Sequence, residues 1–448
     1  MENELFEKAP IQKAYFTMAL PVVLSMVVSL VYNMMDTYFI AATGNTNLVA
    51  GVSIGAPVFT LMIALGDIFG LGGSSVISRM FGQKNDADGK RMSVFCFYAA
   101  ILCGIIVTAF MLLLRQPVLQ LLGADSETMR YASQYYTGIA IGAAFIIVNF
   151  TPSNQLRTEG LAKEAMIGSI LGAVVNMILD PIFISVLGFG AAGAATATVI
   201  GYIFSDIYFL WVLIKKSKKL SVNLKGFHIT AEEIRPIFAI GIPASVTNLM
   251  QSINMALTNH MLLPYGTEKV AAMGIVMKIN MIAVLLLVGF AFGAQPLMGY
   301  NYGAGNKKRL KSILAFCYIF ECGLALVIAL VLSVAAEPFI QVFMAKEEIV
   351  STGVTMLRFQ QLGMVFMAVV LVTTCMFQSA GKALGAFLLS VSRQGVIFAI
   401  VIVVASKAIG YRGVLAAQPI SDFLTAALAV LLFVGYFKGE ILDRQQKK

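Results

Sequence analysis

Long apolar stretches separated by short polar turns recur from one end of the chain to the other. A stretch of about 20 or more apolar residues, wound as a helix at ~1.5 Å per residue, crosses the roughly 30 Å of hydrocarbon in a bilayer. Twelve such stretches can be placed, at 15–40, 52–78, 93–114, 131–151, 164–187, 192–214, 237–262, 271–298, 312–334, 353–376, 385–405 and 414–436. Runs such as 281–290 do not alternate apolar with polar residues, which argues against the alternating strands of a β-barrel. The pattern therefore predicts an all-α polytopic membrane protein with 12 transmembrane helices.

The two halves of this pattern echo each other at a spacing of about 221 residues. Pro243 answers Pro21, Phe290 and Gly293 answer Phe69 and Gly72, Gly303, Asn306 and Lys311 answer Gly82, Asn85 and Lys90, and Gly381 answers Gly160. The one long hydrophilic connection, 215–235, separates the six spans of the first half from the six of the second. Six crossings return the chain to the side it started from, so both halves share one orientation and should be related by a pseudo-two-fold axis along the membrane normal. The expected organisation is an N-terminal six-helix bundle at 1–214, a cytoplasmic linker at 215–235 and a C-terminal six-helix bundle at 236–448. Within the linker, Thr230 followed by Glu232 and Glu233 reads as a capped amphipathic helix start on the inner membrane surface.

Composition agrees with that class. Of the 448 residues 59% are hydrophobic and 12% charged, and the mean hydropathy of +0.85 is far above that of an ordinary soluble domain. Basic residues gather in alternate turns: Arg79, Lys84, Lys90 and Arg91, then Lys215, Lys216, Lys218 and Lys219, then Lys307, Lys308, Arg309 and Lys311. The positive-inside bias assigns these turns, and with them both termini, to the cytoplasm of a bacterial-type inner membrane. The net charge of +9 is thereby explained by topology, and its scatter over many loops argues against nucleic acid. The first span continues for about 25 residues without a cleavage site, which predicts a retained helix. The five cysteines all lie in apolar spans, none in CxxC spacing, so neither a zinc site nor a disulfide framework is indicated.

Two acids stand out because no counterpart occurs at the matching positions of the second half. Asp36 lies seven residues before the polar turn at Thr43, and Asp180 eight before Gly188. Both spans run outward, so both carboxyls sit roughly 10 to 12 Å below the outer surface, at a depth where they can share one cavity. Tyr32 and Asn176 each lie one helical turn away, giving each acid a hydrogen-bonding neighbour on its own face. Pro181 frees the carbonyl of Met177 and favours a bend there. A carboxylate at this depth costs a few kcal/mol or more, so it should pair, bind a cation or hold a proton. Of the other intramembrane charges, Asp67, Asp206, Glu321 and Asp422 read more simply as partners in helix-bridging ion pairs with Lys278, Arg358 and Arg393.

The motifs Tyr32-Asn33-Met-Met-Asp36-Thr37, Asn176-Met-Ile-Leu-Asp180-Pro181 and Gly293-Ala-Gln295-Pro296-Leu-Met-Gly299-Tyr-Asn301-Tyr-Gly303-Ala-Gly305-Asn306 resemble those of the multidrug and toxic compound extrusion (MATE) family. The resemblance covers essentially the whole chain and is strongest to the DinF-like branch and its MepA-like bacterial exporters. It implies that Tyr32, Asp36, Asn176, Asp180 and Thr198 line a proton or cation site. Asp36, Asn176, Asp180 and Thr198 would then be the ligands if the coupling ion were Na⁺; no other metal and no cofactor is implied. Asn33, Asn149, Lys278 and Gln251 are the candidates for a substrate cavity, Lys278 because the family commonly has a basic residue there. The chain has no carboxylates in spans seven and ten, a departure from the sodium-dependent NorM-like pattern that favours protons.

These readings converge on a monomeric secondary antiporter that exports lipophilic cations in exchange for protons, or alternatively Na⁺, by alternating access, with antibiotic resistance as its phenotype. The 24 Met and 31 Phe suit a plastic apolar cavity. A lipid-linked-precursor flippase of the same superfamily should have about two further spans and a more cationic cavity. A membrane enzyme should show a nucleophile, metal ligands or HExxH or GxSxG motifs, and none is present.

Overall fold

The computed structural model describes residues 4–225, 228–344 and 346–439, with the side chains of 248 and 249 left out. Positions 226 and 227 of the central connection, and the expected cytoplasmic ends at 1–3 and 440–448, lie outside the described residues. The described chain is helical, without strands. Among the described residues, nine single helices are long and apolar enough to cross a bilayer, and two bent pairs add one span each. The 32-residue helix Ala231–Leu262 occupies the place of the seventh span and completes twelve, six on each side of the central connection. The fourth and tenth spans are the bent ones: Met129–Ile141 meets Ala143–Thr158 at 51°, and Glu347–Gln361 meets Met364–Ser379 at 43°.

The sequence repeat corresponds to repeated local geometry. Asn85 caps its helix by accepting from the Asp88 N–H at 3.3 Å, and Asn306 accepts from the Arg309 N–H at 3.2 Å. Gly160 and Gly381 turn the chain after spans four and ten with φ of 88° and 73°, a backbone region that side chains rarely tolerate. Thr230 and Glu233 form the expected helix start, with the Thr230 N–H donating to Glu233 Oε2 at 2.8 Å. That start does not make a separate surface helix, because Ala231–Leu262 runs on unbroken as span seven.

The chain divides into two compact units with breaks between Val23 and Leu24 and between Ser245 and Val246. Neither break falls in the 215–235 connection. Both lie inside continuous helices, a few residues after Pro21 and Pro243. In the unit containing Leu24–Ser245, a Cβ on Gly72 would sit 2.3 Å from the Ile237 carbonyl oxygen, so span two packs directly on the first part of span seven. In the other unit Gly293, the repeat partner of Gly72, stands in the same relation to Ala19 of span one, at 2.3 Å. The central connection is strapped to the Leu24–Ser245 unit: Glu159 accepts from the backbone N–H groups of Lys218 and Lys219, and Tyr98 donates to the Val222 carbonyl at 2.8 Å.

Spans five and six, Ala162–Val186 and Gly190–Lys215, cross at a pair of glycines. A Cβ on Gly201 would come within 2.7 Å of the Gly172 carbonyl oxygen and 3.2 Å of Asn176 Cβ, and one on Gly172 within 2.8 Å of the Gly201 oxygen. This close approach brings Asn176 against span six. Gly201→Ala must push two backbones apart and is expected to destabilise the protein by about 1–3 kcal/mol. Gly323→Ala, where the added carbon meets nothing within 4 Å, is expected to leave stability unchanged. Thermal unfolding of the two purified variants beside the parent protein checks the difference.

Candidate ion-coupling site

Asn176 and Asp180 lie one turn apart on span five, following its crossing with span six at Gly172. Asp180 is 0% and Asn176 3% exposed. In the amide orientation that satisfies both its ends, Asn176 donates to Asp180 Oδ2 at 3.1 Å and accepts from the Thr198 backbone N–H at 3.1 Å. Pro181 follows directly and opens a π-helical turn, Pro181–Val186. The missing N–H of proline leaves the ordinary helical ladder broken at this point, and the wider turn is the form the expected bend takes.

Span one brings the second acid. Asp36 Oδ1 is shielded from solvent and accepts no hydrogen bond among the described residues. Asp36 lies within electrostatic range of Asp180, and the phenols of Tyr32 and Tyr135 lie within range of both. Tyr32 and Tyr202 lie within electrostatic range of each other. The structure therefore brings together all five residues expected at the coupling site, Tyr32, Asp36, Asn176, Asp180 and Thr198, within the Leu24–Ser245 unit. It adds Tyr135 and Tyr202, which the sequence analysis missed. Tyr202 could have been found, because it lies four residues after Thr198 on the same helical face. Tyr135 carries no such mark, since it reaches the site from the bent fourth span.

The expected cavity residues are more dispersed. Asn33, Gln251 and Lys278 are exposed on their helices. Asn149 is buried, and its amide donates to Asp206 Oδ1 at 2.8 Å and Ser205 Oγ at 2.9 Å. Of the remaining charges, Arg393 and Asp422 form a helix-bridging ion pair at 2.8 Å, a pairing the sequence did not assign, with Arg393 in a second π-helical turn, Ser392–Val396. Asp67 acts electrostatically on Arg157, a partner not anticipated. Arg358 donates to the Ser333 carbonyl at 3.1 Å. Glu321, 0% exposed, has no cation beside it among the described residues but a hydrogen bond from Tyr15 at 3.3 Å among the rings of Phe16, Phe290, Phe316 and Phe320. No cluster of metal-ligating side chains occurs among the described residues.

Among the described residues, the two carboxyl groups of Asp36 and Asp180, the latter fully buried, have no basic side chain as a hydrogen-bond partner. The MatE family model matches the chain twice, over residues 21–182 and 243–405, each match beginning at one of the paired prolines. The chain belongs to the MatE family. It is similar to the multidrug export protein MepA of Staphylococcus aureus (strain MSSA476), 29% identical over 428 residues that cover 95% of this chain and 94% of the relative. MepA of Staphylococcus haemolyticus (strain JCSC1435) is 28% identical over 427 residues with the same coverage. Among solved structures, an outward-facing conformation of a multidrug resistance MATE family transporter of the MOP superfamily superposes with a TM-score of 0.92 at 25% identity, covering 99% of both chains. The double match of one family model accounts for the internal repeat of this MatE protein.

Asn176 is the hinge of the site's hydrogen bonding. Asn176→Ala removes both of its bonds and leaves Asp180 Oδ2 buried without its donor, at an expected cost of about 1–3 kcal/mol; the Thr198 N–H keeps its helical carbonyl partner. Thr198→Ala keeps the backbone N–H and is expected to cost less. Denaturation midpoints of the two variants in detergent, compared with the parent protein, test that order.

Proposed function

We propose that this MatE protein is a secondary active multidrug exporter that exchanges lipophilic cations for protons by alternating access. The observation that carries the reading is the pair of half-buried Asp36 and fully buried Asp180, in which, among the described residues, Oδ1 of Asp36 accepts nothing and no basic side chain donates to either acid. A lipophilic cation gains attraction to the acids and burial of its apolar body, whereas an anion gains neither. Protons arriving from outside neutralise the acids, release the cation outward and are carried in. The gradient supplies about 1.4 kcal/mol per pH unit and 2.3 kcal/mol per 100 mV for each net charge moved. The full-length similarity to MepA multidrug export proteins supports the same reading.

Na⁺ is the second reading, because Asp36, Asn176, Asp180 and Thr198 are all oxygen donors. The Asn176 amide oxygen is already occupied by the Thr198 N–H, which leaves a sparse oxygen set for a metal ion and favours the proton. The protein acts on this account as a monomer in a bacterial-type inner membrane, with both termini cytoplasmic, as a transporter and not as an enzyme. Nucleic acid has no part in it.

Asp180→Asn keeps the size of the side chain and removes its titratable group. Near loss of gradient-driven efflux with normal membrane insertion is expected, and a similar or milder defect for Asp36→Asn. Dye efflux from everted vesicles under an imposed pH gradient, then under a sodium gradient, checks both variants and the coupling ion. Efflux at the parent rate in both variants would show the carboxyls to be structural. Equal transport of ethidium and of an anionic dye of the same hydrophobicity would remove the proposed cation selectivity.

A further inference from the structure

Thr198, Tyr202 and Asp206 succeed one another at intervals of four along span six and so form one stripe on one helical face. Asp206 lies eight residues beyond Thr198 toward the Lys215 end of the helix, a displacement of about 12 Å. On the proposed topology that end is cytoplasmic. Asp206 is 8% exposed, its Oδ1 is held by Asn149, and its Oδ2 is shielded from solvent and accepts no hydrogen bond among the described residues. Among the described residues no charged side chain pairs with it. Span four contributes Asn149, span two sets Phe59 beside Tyr202, and span five presents Gly172 to Ser205 and Gly168 to Phe209. Its titratable neighbour is Tyr202, one turn back on the same helix, whose phenol lies within electrostatic range of Tyr32, itself one turn from Asp36.

We propose that Asp206 is the inner proton station of the exporter, reached from the Asp36 and Asp180 pair through the hydroxyls of Tyr32 and Tyr202. The proposal rests on proton coupling at the outer pair. In each step a phenol O–H passes its proton inward as it takes one from the outer side. The Asp206 carboxylate becomes a carboxylic acid as the outer acid becomes a carboxylate, and it then gives the proton to water on the Lys215 side. No charge is created in the hydrocarbon beyond the one that moves. If Asp206 served only to link spans four and six, an asparagine would do: it keeps a carbonyl oxygen for the Asn149 amide and has no charge to bury.

The test is ethidium efflux from proteoliposomes under an imposed pH gradient, read together with ethidium affinity of the purified protein. Asp206→Asn is expected to lower the maximal efflux rate by roughly ten-fold or more, as loss of a positioned proton-transfer group does, with affinity within about two-fold of the parent. Asp206→Glu should restore a large part of the rate, because it restores a titratable carboxyl. Tyr202→Phe, which breaks the path but keeps the ring, should slow efflux without weakening ethidium binding, and it decides the matter alone if Asp206→Asn does not insert. Parent-like efflux in Asp206→Asn or in Tyr202→Phe overturns the proposal. If Asp180→Asn loses efflux in the same assay while Asp206→Asn does not, only the inner station falls. If Asp180→Asn is also unaffected, the proton coupling beneath it falls as well.

Discussion

A carboxyl group inside a membrane helix must be neutralised, paired or solvated, since hydrocarbon offers it nothing. In this protein that constraint bears hardest on Asp180, which has no solvent exposure and leans on a single amide, Asn176. The surrounding structure serves to hold that arrangement. Gly172 and Gly201 let spans five and six touch so that Asn176 can reach Thr198, Pro181 breaks the ladder beside the acid, and span one delivers Asp36 with an oxygen left open. A pair of acids that cannot comfortably ionise together will exchange a proton for a cation more readily than either acid alone.

The second half repeats the scaffold without repeating the acids. Helix caps at Asn85 and Asn306, turns at Gly160 and Gly381 and close contacts at Gly72 and Gly293 recur because they are conditions of the helical framework. The second half places a charged pair where the first has its glycine crossing: Arg393 and Asp422, which answer Gly172 and Gly201, form an ion pair, and Gln418 and Asn254 extend that network by hydrogen bonds of 3.0 Å. Among the described residues, Asp36, Asp180 and Asp206 of the first half and Glu321 of the second have no basic side chain as a hydrogen-bond partner.

Much of this was legible in the sequence. Spans of the right length, the repeat, and Asp36 and Asp180 at one depth follow from periodicity and rise per residue. Tyr32 and Asn176 follow from one-turn spacing, while Thr198 was indicated through family resemblance. The Thr198, Tyr202 and Asp206 stripe was also readable, but Asp206 was weighed as a member of an ion pair, and pairing is decided by neighbours on other helices. Asn149 illustrates the same limit: its place in span four says nothing of the fact that Asp206 occupies its amide. The division of spans one and seven between compact units was hidden because no break in the helix accompanies it; only the glycines that press against their first parts mark it.

The central claim is that a cation and protons compete for the same pair of acids. It is tested most directly by adding ethidium to the purified protein in weakly buffered detergent solution and measuring protons released together with affinity across a pH series. The account requires that binding tighten as pH rises, that it release protons over the same pH range, and that the double variant Asp36→Asn, Asp180→Asn release none. Ethidium affinity that is independent of pH, with no protons released by the parent protein, would contradict it.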